Sequence, residues 1–389
     1  MSSKNTNSNI DYTLISIIIL LGIVSVFTIY TLQPHLDQNY YLKQVIWYIV
    51  GSMAVVVMML FDFDRLRQVS WILYGIGMIL LLMLFFHFPP GIAKEVNGAW
   101  GWFEFPVFGT MQPAEFMKVF LIILLAHVIV AHNEKYKNHT LKFDIWLLTK
   151  IALVTLPPLA LVAKQPDLGG VLVLCAITVS LVLVSGIQWR IILSLVGTAV
   201  IAVCLVVAAY IYAPEKVESF VDAAGFEHVE SRFQGWLNTE EVGQSGGYQL
   251  IRAMLAIGSG QLSGKGIGDY QVVDTIPEPH TDMIFTAIAE QFGFIGSSFV
   301  ITLYFLLIYR LIHIGLQSND PFGSYLVTGC IGMFTFQVFQ NIGMTVKLLP
   351  ITGLPLPFIS YGGSSTLTYL IAIGMVLSIH FRTKEYMFD

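Results

Sequence analysis

The chain has 389 residues, of which 56% are hydrophobic and 12% charged. A soluble globular domain carries about 25% charged residues; half that charge cannot cover a water-facing surface of this size, which excludes a soluble domain. The net charge of −5 is divided between two compartments, so it selects no partner, and no nucleic acid is expected.

The first eleven residues, Met1 to Asp11, are polar and nearly uncharged. Apolar runs follow near 13–31, 44–61, 69–88, 115–131, 144–163, 168–187, 190–212, 283–309, 322–345 and 365–381. Most are long enough to cross a ~30 Å hydrocarbon core. The weak alternation of a membrane β-barrel is absent, and in lipid a helix satisfies its own backbone. The expectation is an all-α, polytopic integral membrane protein of about ten transmembrane helices, in a single domain over 1–389. The first run lacks a small-residue cleavage site and reads as a retained helix rather than a signal peptide. Pro157 and Pro158 are expected to kink the fifth helix. The break between the fifth and sixth rests on Lys164-Gln165-Pro166-Asp167. Cys175, Cys204 and Cys330 all fall inside apolar runs and read as packing residues, not as a disulfide framework or metal site.

Lys and Arg in short loops set orientation. One set of connections holds ten: Lys4, Arg65, Arg67, Lys135, Lys137, Lys142, Arg190, Arg310, Arg382 and Lys384. The other set holds four: Lys43, Lys94, Lys164 and Lys347. Both termini are therefore expected in the cytoplasm. Three segments then face outside: 89–114, a large loop at 213–282 between the seventh and eighth helices, and the Pro/Gly-rich stretch 346–364. Within the large loop, Pro214 to Glu230 is acidic and expected to be solvated. Gly247 to Gly258 places Leu250, Ile251, Met254 and Leu255 at helical spacing, as an interfacial or re-entrant helix would.

Four motifs carry candidate chemistry. In Gln112-Pro113-Ala114-Glu115-Phe116-Met117-Lys118, Pro113 suits a helix start, and Glu115 and Lys118 share a helix face. They form either a structural ion pair or a polar group on an outward cavity. Asp167 can cap the sixth helix, and Lys164 beside it can meet a phosphate at the membrane surface. In Pro277-Glu278-Pro279-His280-Thr281-Asp282, Asp282 ends at the outer start of the eighth helix. There it is either an N-cap or a carboxylate of raised proton affinity, as a general base requires. His280 reads as a polar loop residue. The stretch Leu348 to Ser365 is too rich in Pro and Gly for a continuous helix. At membrane depth such backbone must be packed in protein or line a wet cavity, and its glycines and serines, Ser364 among them, can donate hydrogen bonds to an anion.

Taken in order, these segments resemble the SEDS family (shape, elongation, division and sporulation). The matching residues are Asn97-Gly98-Ala99 with Trp102, Gln112-Pro113-Ala114-Glu115-Phe116 with Lys118, Lys164-Gln165-Pro166-Asp167-Leu168-Gly169, Ser231-Arg232-Phe233, Gly264-Lys265-Gly266, His280-Thr281-Asp282, and Pro357 to Ser365. Met344-Thr345 and Pro350-Ile351-Thr352-Gly353 are most similar to the RodA type, with the FtsW and SpoVE types as runners-up. Ala114 stands where the family commonly has Ser, and Lys347 where many members have a small or neutral residue.

The resemblance implies a peptidoglycan glycosyltransferase of the bacterial cytoplasmic membrane that polymerises lipid II on the outer face. It further implies a class B penicillin-binding protein as partner and a divalent cation, Mg²⁺ or Mn²⁺, whose ligands are not assigned. By the same resemblance Asp282 matches the essential acidic residue and Trp102 the external-loop tryptophan. Gln112, Glu115, Lys118, Lys164, Arg232, Lys347 and Ser364 complete the expected substrate-binding set. The rival readings are a lipid II flippase, which needs polar groups along a path through the bilayer, and a non-catalytic scaffold for the partner.

Overall fold

A computed structural model describes residues 10–96, 99–105, 109–137, 140–212, 232–233, 235–237 and 246–385. All ten expected apolar segments are helices. They are α1 (Tyr12–Leu32), α2 (Tyr40–Leu60), α3 (Phe63–Phe85), α4 (Pro113–Lys135), α5 (Leu141–Ala163), α6 (Leu168–Val184), α7 (Trp189–Tyr212), α9 (Ile284–Gln317), α10 (Pro321–Thr345) and α11 (Gly363–Glu385). The large loop adds α8 (Gly246–Ser259), which covers the segment expected to be helical. Eight of the helices are long and apolar enough to cross a membrane, and α6 and the first part of α7 are shorter apolar segments. Pro214 to Glu230, Asn97, Gly98 and Ser231 lie outside the described residues.

Local chemistry explains several boundaries. Asp11 caps α1 through Leu14 N–H at 3.1 Å, Asp167 caps α6 through Gly170 N–H at 2.7 Å, and Asp320 caps α10 through Gly323 N–H at 2.8 Å. Pro113 opens α4, where its missing N–H is no loss. Helix α5 continues through Pro157 and Pro158.

Helices α4 and α11 form the centre. Helix α4 packs on α3, α5, α6, α10 and α11, and α11 also packs along α2. The outer helices leave apolar side chains exposed, among them Ile46, Met53 and Leu60 on α2 and Leu193, Val196 and Leu205 on α7. In water such surface would be a liability; against hydrocarbon it is the expected solvent-facing side.

Helix α9 has 34 residues, about 51 Å at 1.5 Å per residue, well beyond one hydrocarbon core. It breaks at Gly293, whose φ is 62°. A Cβ there would lie 2.4 Å from the backbone N of Gly264, so the break admits only glycine while the chain from the large loop crosses it. Just before the break, the fully buried Glu290 accepts bonds from Lys265 Nζ (2.6 Å) and the backbone N–H groups of Gln271 (3.1 Å), Val272 (3.0 Å) and Val273 (2.9 Å). This explains the Gly264-Lys265-Gly266 motif: it brings the returning chain against α9 and holds it there.

The irregular segment between α10 and α11 is satisfied by side chains from across the bundle. Gln340 donates to Pro350 O (2.9 Å) and Asn341 to Leu354 O (2.8 Å). Tyr304 donates to Pro357 O (2.5 Å), Tyr48 to Phe358 O, Ser25 to Ile359 O (2.7 Å) and Gln44 to Ser360 O (3.3 Å). Four helices thus supply the partners that a non-helical backbone needs inside a bundle.

One element was not expected. Residues read as a plain loop at 89–114 contain an antiparallel three-stranded sheet, β1 (Ala93–Val96), β2 (Ala99–Phe105) and β3 (Gly109–Met111), in the order β1-β2-β3. The fold is therefore a helical bundle with a small sheet on one end. Phe103 packs with Leu84 and Ala93, anchoring the sheet to the end of α3.

Candidate active site

Helices α2, α4, α6, α9 and α11 all begin at the end of the bundle that carries the sheet and the large loop. Between their first turns lies a cavity of about 1620 Å³. Strand alternation turns Trp102 and Glu104 of β2 toward it, while Phe103 points to α3. The α1–α2 connection and α2 contribute His35, Tyr40, Lys43 and Trp47; the large loop contributes Arg232, Asp274 and Glu278 to Asp282; the irregular segment and α11 contribute Thr352 to Pro355 and Tyr361 to Ser365.

Of the expected residues, Trp102, Gln112, Glu115, Arg232, Asp282 and Ser364 line this cavity. Gln112 ties the wall together: its backbone N–H donates to Ser364 Oγ (3.0 Å) and its Nε2 to Asp167 Oδ2 (3.2 Å). Glu115 accepts from Lys118 Nζ at 2.6 Å, and Lys118 is only 1% exposed. The structural ion pair and the cavity-facing acid are thus the same residue, with Lys118 behind the wall. Lys164 and Lys347 also lie outside the lining. Lys164 is exposed, and the Lys347 carbonyl accepts from Trp236 Nε1 at 3.0 Å.

Asp282 sits in the turn before α9 and does not cap it. The cap position is Met283, with no side-chain cap bond. The Asp282 carboxylate takes one hydrogen bond from a neighbouring side chain, Thr281 Oγ1 at 3.2 Å. Burial pushes its proton affinity up to about 6; the Thr281 bond and the Arg232 charge pull it down, and Glu278 adds to the rise. His280 goes the other way, lowered by burial to about 4, so it is a neutral imidazole at physiological pH. Its ring lies 4.2 Å from that of Tyr40 and 5.6 Å from that of Tyr361. Tyr361 is raised by burial to about 12 and remains a phenol.

The model of the FtsW/RodA/SpoVE family, described as cell cycle proteins, matches residues 9–385. The chain belongs to this family. Its relatives include a probable peptidoglycan glycosyltransferase FtsW of Geobacter metallireducens, 32% identical over 90% of this chain and 87% of that one. Stage V sporulation protein E of Bacillus subtilis is 30% identical over 97% and 98%, and peptidoglycan glycosyltransferase RodA of Treponema pallidum is 28% identical over 96% and 98%. Among solved structures, a chain described under structural coordination of polymerization and crosslinking by a peptidoglycan synthase complex has a TM-score of 0.76 and 26% identity, covering 96% of this chain and 98% of that one. Rod shape determining protein RodA of Thermus thermophilus has a TM-score of 0.65 and 26% identity, covering 95% and 96%.

For this FtsW/RodA/SpoVE chain, sequence reasoning missed part of the cavity. Among the described residues seven carboxylates line it: Asp37, Glu104, Glu115, Asp167, Asp274, Glu278 and Asp282. Among the described lining residues the Lys and Arg side chains are Lys43 and Arg232. Lys43 donates to Gln38 Oε1 and stands 5.6 Å from the Tyr40 ring centre. Its sequence signal, a lysine at the start of an apolar run, is that of any interfacial residue, so only the fold reveals where it points. No group of three or more His, Cys, Asp or Glu has metal-binding geometry among the described residues. A cage built from protein ligands alone therefore does not fit the described residues of this cavity.

Proposed function

We propose that the cavity is the active site of a peptidoglycan glycosyltransferase that polymerises lipid II, in the RodA manner, for cell-wall elongation and cell shape. The observation that carries this reading is Asp282: a carboxylate in a fixed non-helical turn, with proton affinity near 6, on the wall of a cavity large enough for lipid-linked sugars. A lining rich in carboxylates and in the rings of Tyr40, Trp47, Trp102 and Tyr361 suits polyols. Carboxylates accept from sugar hydroxyls, and aromatic faces pack against the C–H faces of pyranose rings.

In this reaction a sugar 4-hydroxyl of one lipid-linked disaccharide attacks the anomeric carbon of another. The new carbon–oxygen bond forms as the bond to the lipid pyrophosphate breaks, and the hydroxyl proton passes to Asp282. The leaving pyrophosphate gains charge, and Lys43 and Arg232 are the cations placed to offset it. Lys118 acts through Glu115 rather than on the substrate. Mg²⁺ or Mn²⁺ belongs to the proposal as a companion of the pyrophosphate, since such ions bind through one or two carboxylates plus substrate phosphates.

The reading includes the bacterial cytoplasmic membrane, cytoplasmic termini, an outward-facing cavity and a class B penicillin-binding protein as partner. The ten-to-four distribution of Lys and Arg between the two sets of short loops supports the orientation; the synthase complex named above, which couples polymerization to crosslinking, supports the partner. The FtsW and SpoVE names among the relatives favour division or sporulation use as the second reading. A flippase would need polar groups through the bilayer, but Lys150 contacts His132 (3.2 Å), lies over Tyr136 and Trp146, and does not reach the cavity.

The test is polymerisation of lipid II by the purified chain with its partner, alongside Asp282→Asn. We expect the variant to purify folded and to lose about 10²–10⁴ in rate. Normal strand synthesis by it would refute the assignment.

A further inference from the structure

Three consecutive backbone carbonyls lead into α9, and each is held by a donor distant in sequence. Tyr361 N–H donates to His280 O at 2.9 Å, Ser360 Oγ to Thr281 O at 2.5 Å, and Asn341 Nδ2 to Asp282 O at 2.6 Å. The first two donors belong to the irregular segment before α11. The third belongs to α10, and its carboxamide also donates to Leu354 O at 2.8 Å.

We propose that Asn341 is a positioning residue for Asp282, and that its carboxamide is the joint through which α10 fixes the reactive carboxylate against the irregular segment. The Asp282 carboxylate receives one hydrogen bond from a neighbouring side chain, Thr281 Oγ1, so its location is set by its backbone. Both acceptors at Asn341 are carbonyl oxygens, which fixes the nitrogen end of the amide toward them. Asn341 is fully buried, and its Oδ1 has no hydrogen-bond partner among the described residues. An unsatisfied buried acceptor is costly, and an apolar side chain would avoid that cost, so the amide is kept for what its N–H groups do. Asn341 does not line the cavity, so it acts on the substrate only through Asp282.

The inference rests on Asp282 as the base. Its test compares four variants of the full chain with its partner on lipid II: Asn341→Leu, Asn341→Ser, Gln340→Leu and Asp282→Asn. Asn341→Leu keeps the branched shape and removes both donors; it should lower kcat by about 10²-fold, the scale of a 1 Å misplacement, with KM unchanged. Its acid limb should move from about 6 toward the ordinary carboxylate value of 3.8, because a released carboxylate gains water. Asn341→Ser keeps one donor and should fall between Leu and wild type, which preserves the test if Asn341→Leu does not fold. Gln340→Leu removes the neighbouring carboxamide, which holds Pro350 O instead, and kcat should stay within about threefold of wild type, as for a change with no shared partner at the base.

If the Asn341 variants match Gln340→Leu in kcat and pH profile while Asp282→Asn is dead, the positioning role is wrong and the base stands. If Asp282→Asn is active, the base itself is wrong.

Discussion

At the end of the bundle away from the cavity, charge is spent on pairing. Arg67 grips Glu134 through two bonds of 3.0 and 2.5 Å, Arg310 Nε meets Asp11 at 2.7 Å, and Arg382 Nε lies 3.6 Å from Asp62. These contacts tie α3 to α4, α1 to α9, and α11 to the α2–α3 corner. At the cavity end the irregular segment before α11 is anchored by neutral groups: tyrosine, serine, glutamine and asparagine side chains hold its backbone carbonyls. Among the described residues seven carboxylates and two cations line the cavity wall; Glu115, Glu104 and Asp274 are paired with Lys118, Lys94 and His35, and Asp167 caps α6. The difference teaches how one bundle can be rigid at both ends and reactive at one. Neutral donors fix the irregular backbone around Asp282 and leave its carboxylate for a ligand.

Substitutions at the two ends should have unequal effects. The largest effect belongs to Asp282→Asn, whose loss of rate should come with no loss of stability at neutral pH. Because the native carboxyl holds its proton up to about 6 against an ordinary value of 3.8, ionising it works against the fold. Stability from this group is present below the lower value and is lost as pH rises through the upper one. The variant should therefore melt at or above wild type at neutral pH, with the gap closing on acidification; thermal melts across pH will show it.

Glu290→Gln comes next. It breaks the pair with Lys265 inside the structure, at a cost of about 3 kcal/mol read as a lower melting temperature. No change would mean that the returning loop is held by its glycine contacts alone. Lys43→Gln removes one of two cavity cations and should lower the polymerisation rate about 10²-fold; an unchanged rate would remove Lys43 from the site. The smallest effect is expected from Arg67→Gln at the other end. An exposed pair is worth about 0–1 kcal/mol, so rate and melting temperature should barely move. A large loss of rate there would contradict the division of labour between the two ends.

The fold was legible wherever lipid dictated it. Ten apolar runs became ten helices, because hydrocarbon leaves the backbone no other partner. Several expected starts fell short, as at 44 where α2 begins at Tyr40 and at 69 where α3 begins at Phe63, since Lys43 in α2 and Asp64, Arg65, Arg67 and Gln68 in α3 interrupt the apolar run near its start. The sheet at 93–111 was hidden for a related reason. Trp100, Trp102, Phe103 and Phe105 put aromatic residues on both faces of β2, which masks the alternation a strand normally shows.

The site divides the same way. Asp282, Trp102, Gln112 and Arg232 were legible because they sit in motifs that resemble a known family. Lys43, Glu104 and Asn341 were not, because each depends on which side chain a distant segment turns toward the cavity or the Asp282 turn. Lys164 and Lys347 lie outside the cavity lining: a lysine near the right membrane face does not establish that it lines the cavity.

The most direct measurement of the central claim is the rate of lipid II polymerisation by the wild-type complex as a function of pH. The expected result is an acid limb with an apparent value near 6, the rate falling as Asp282 takes up its proton while the protein stays folded. A rate that holds steady through that range, with folding unchanged, would contradict Asp282 as the base.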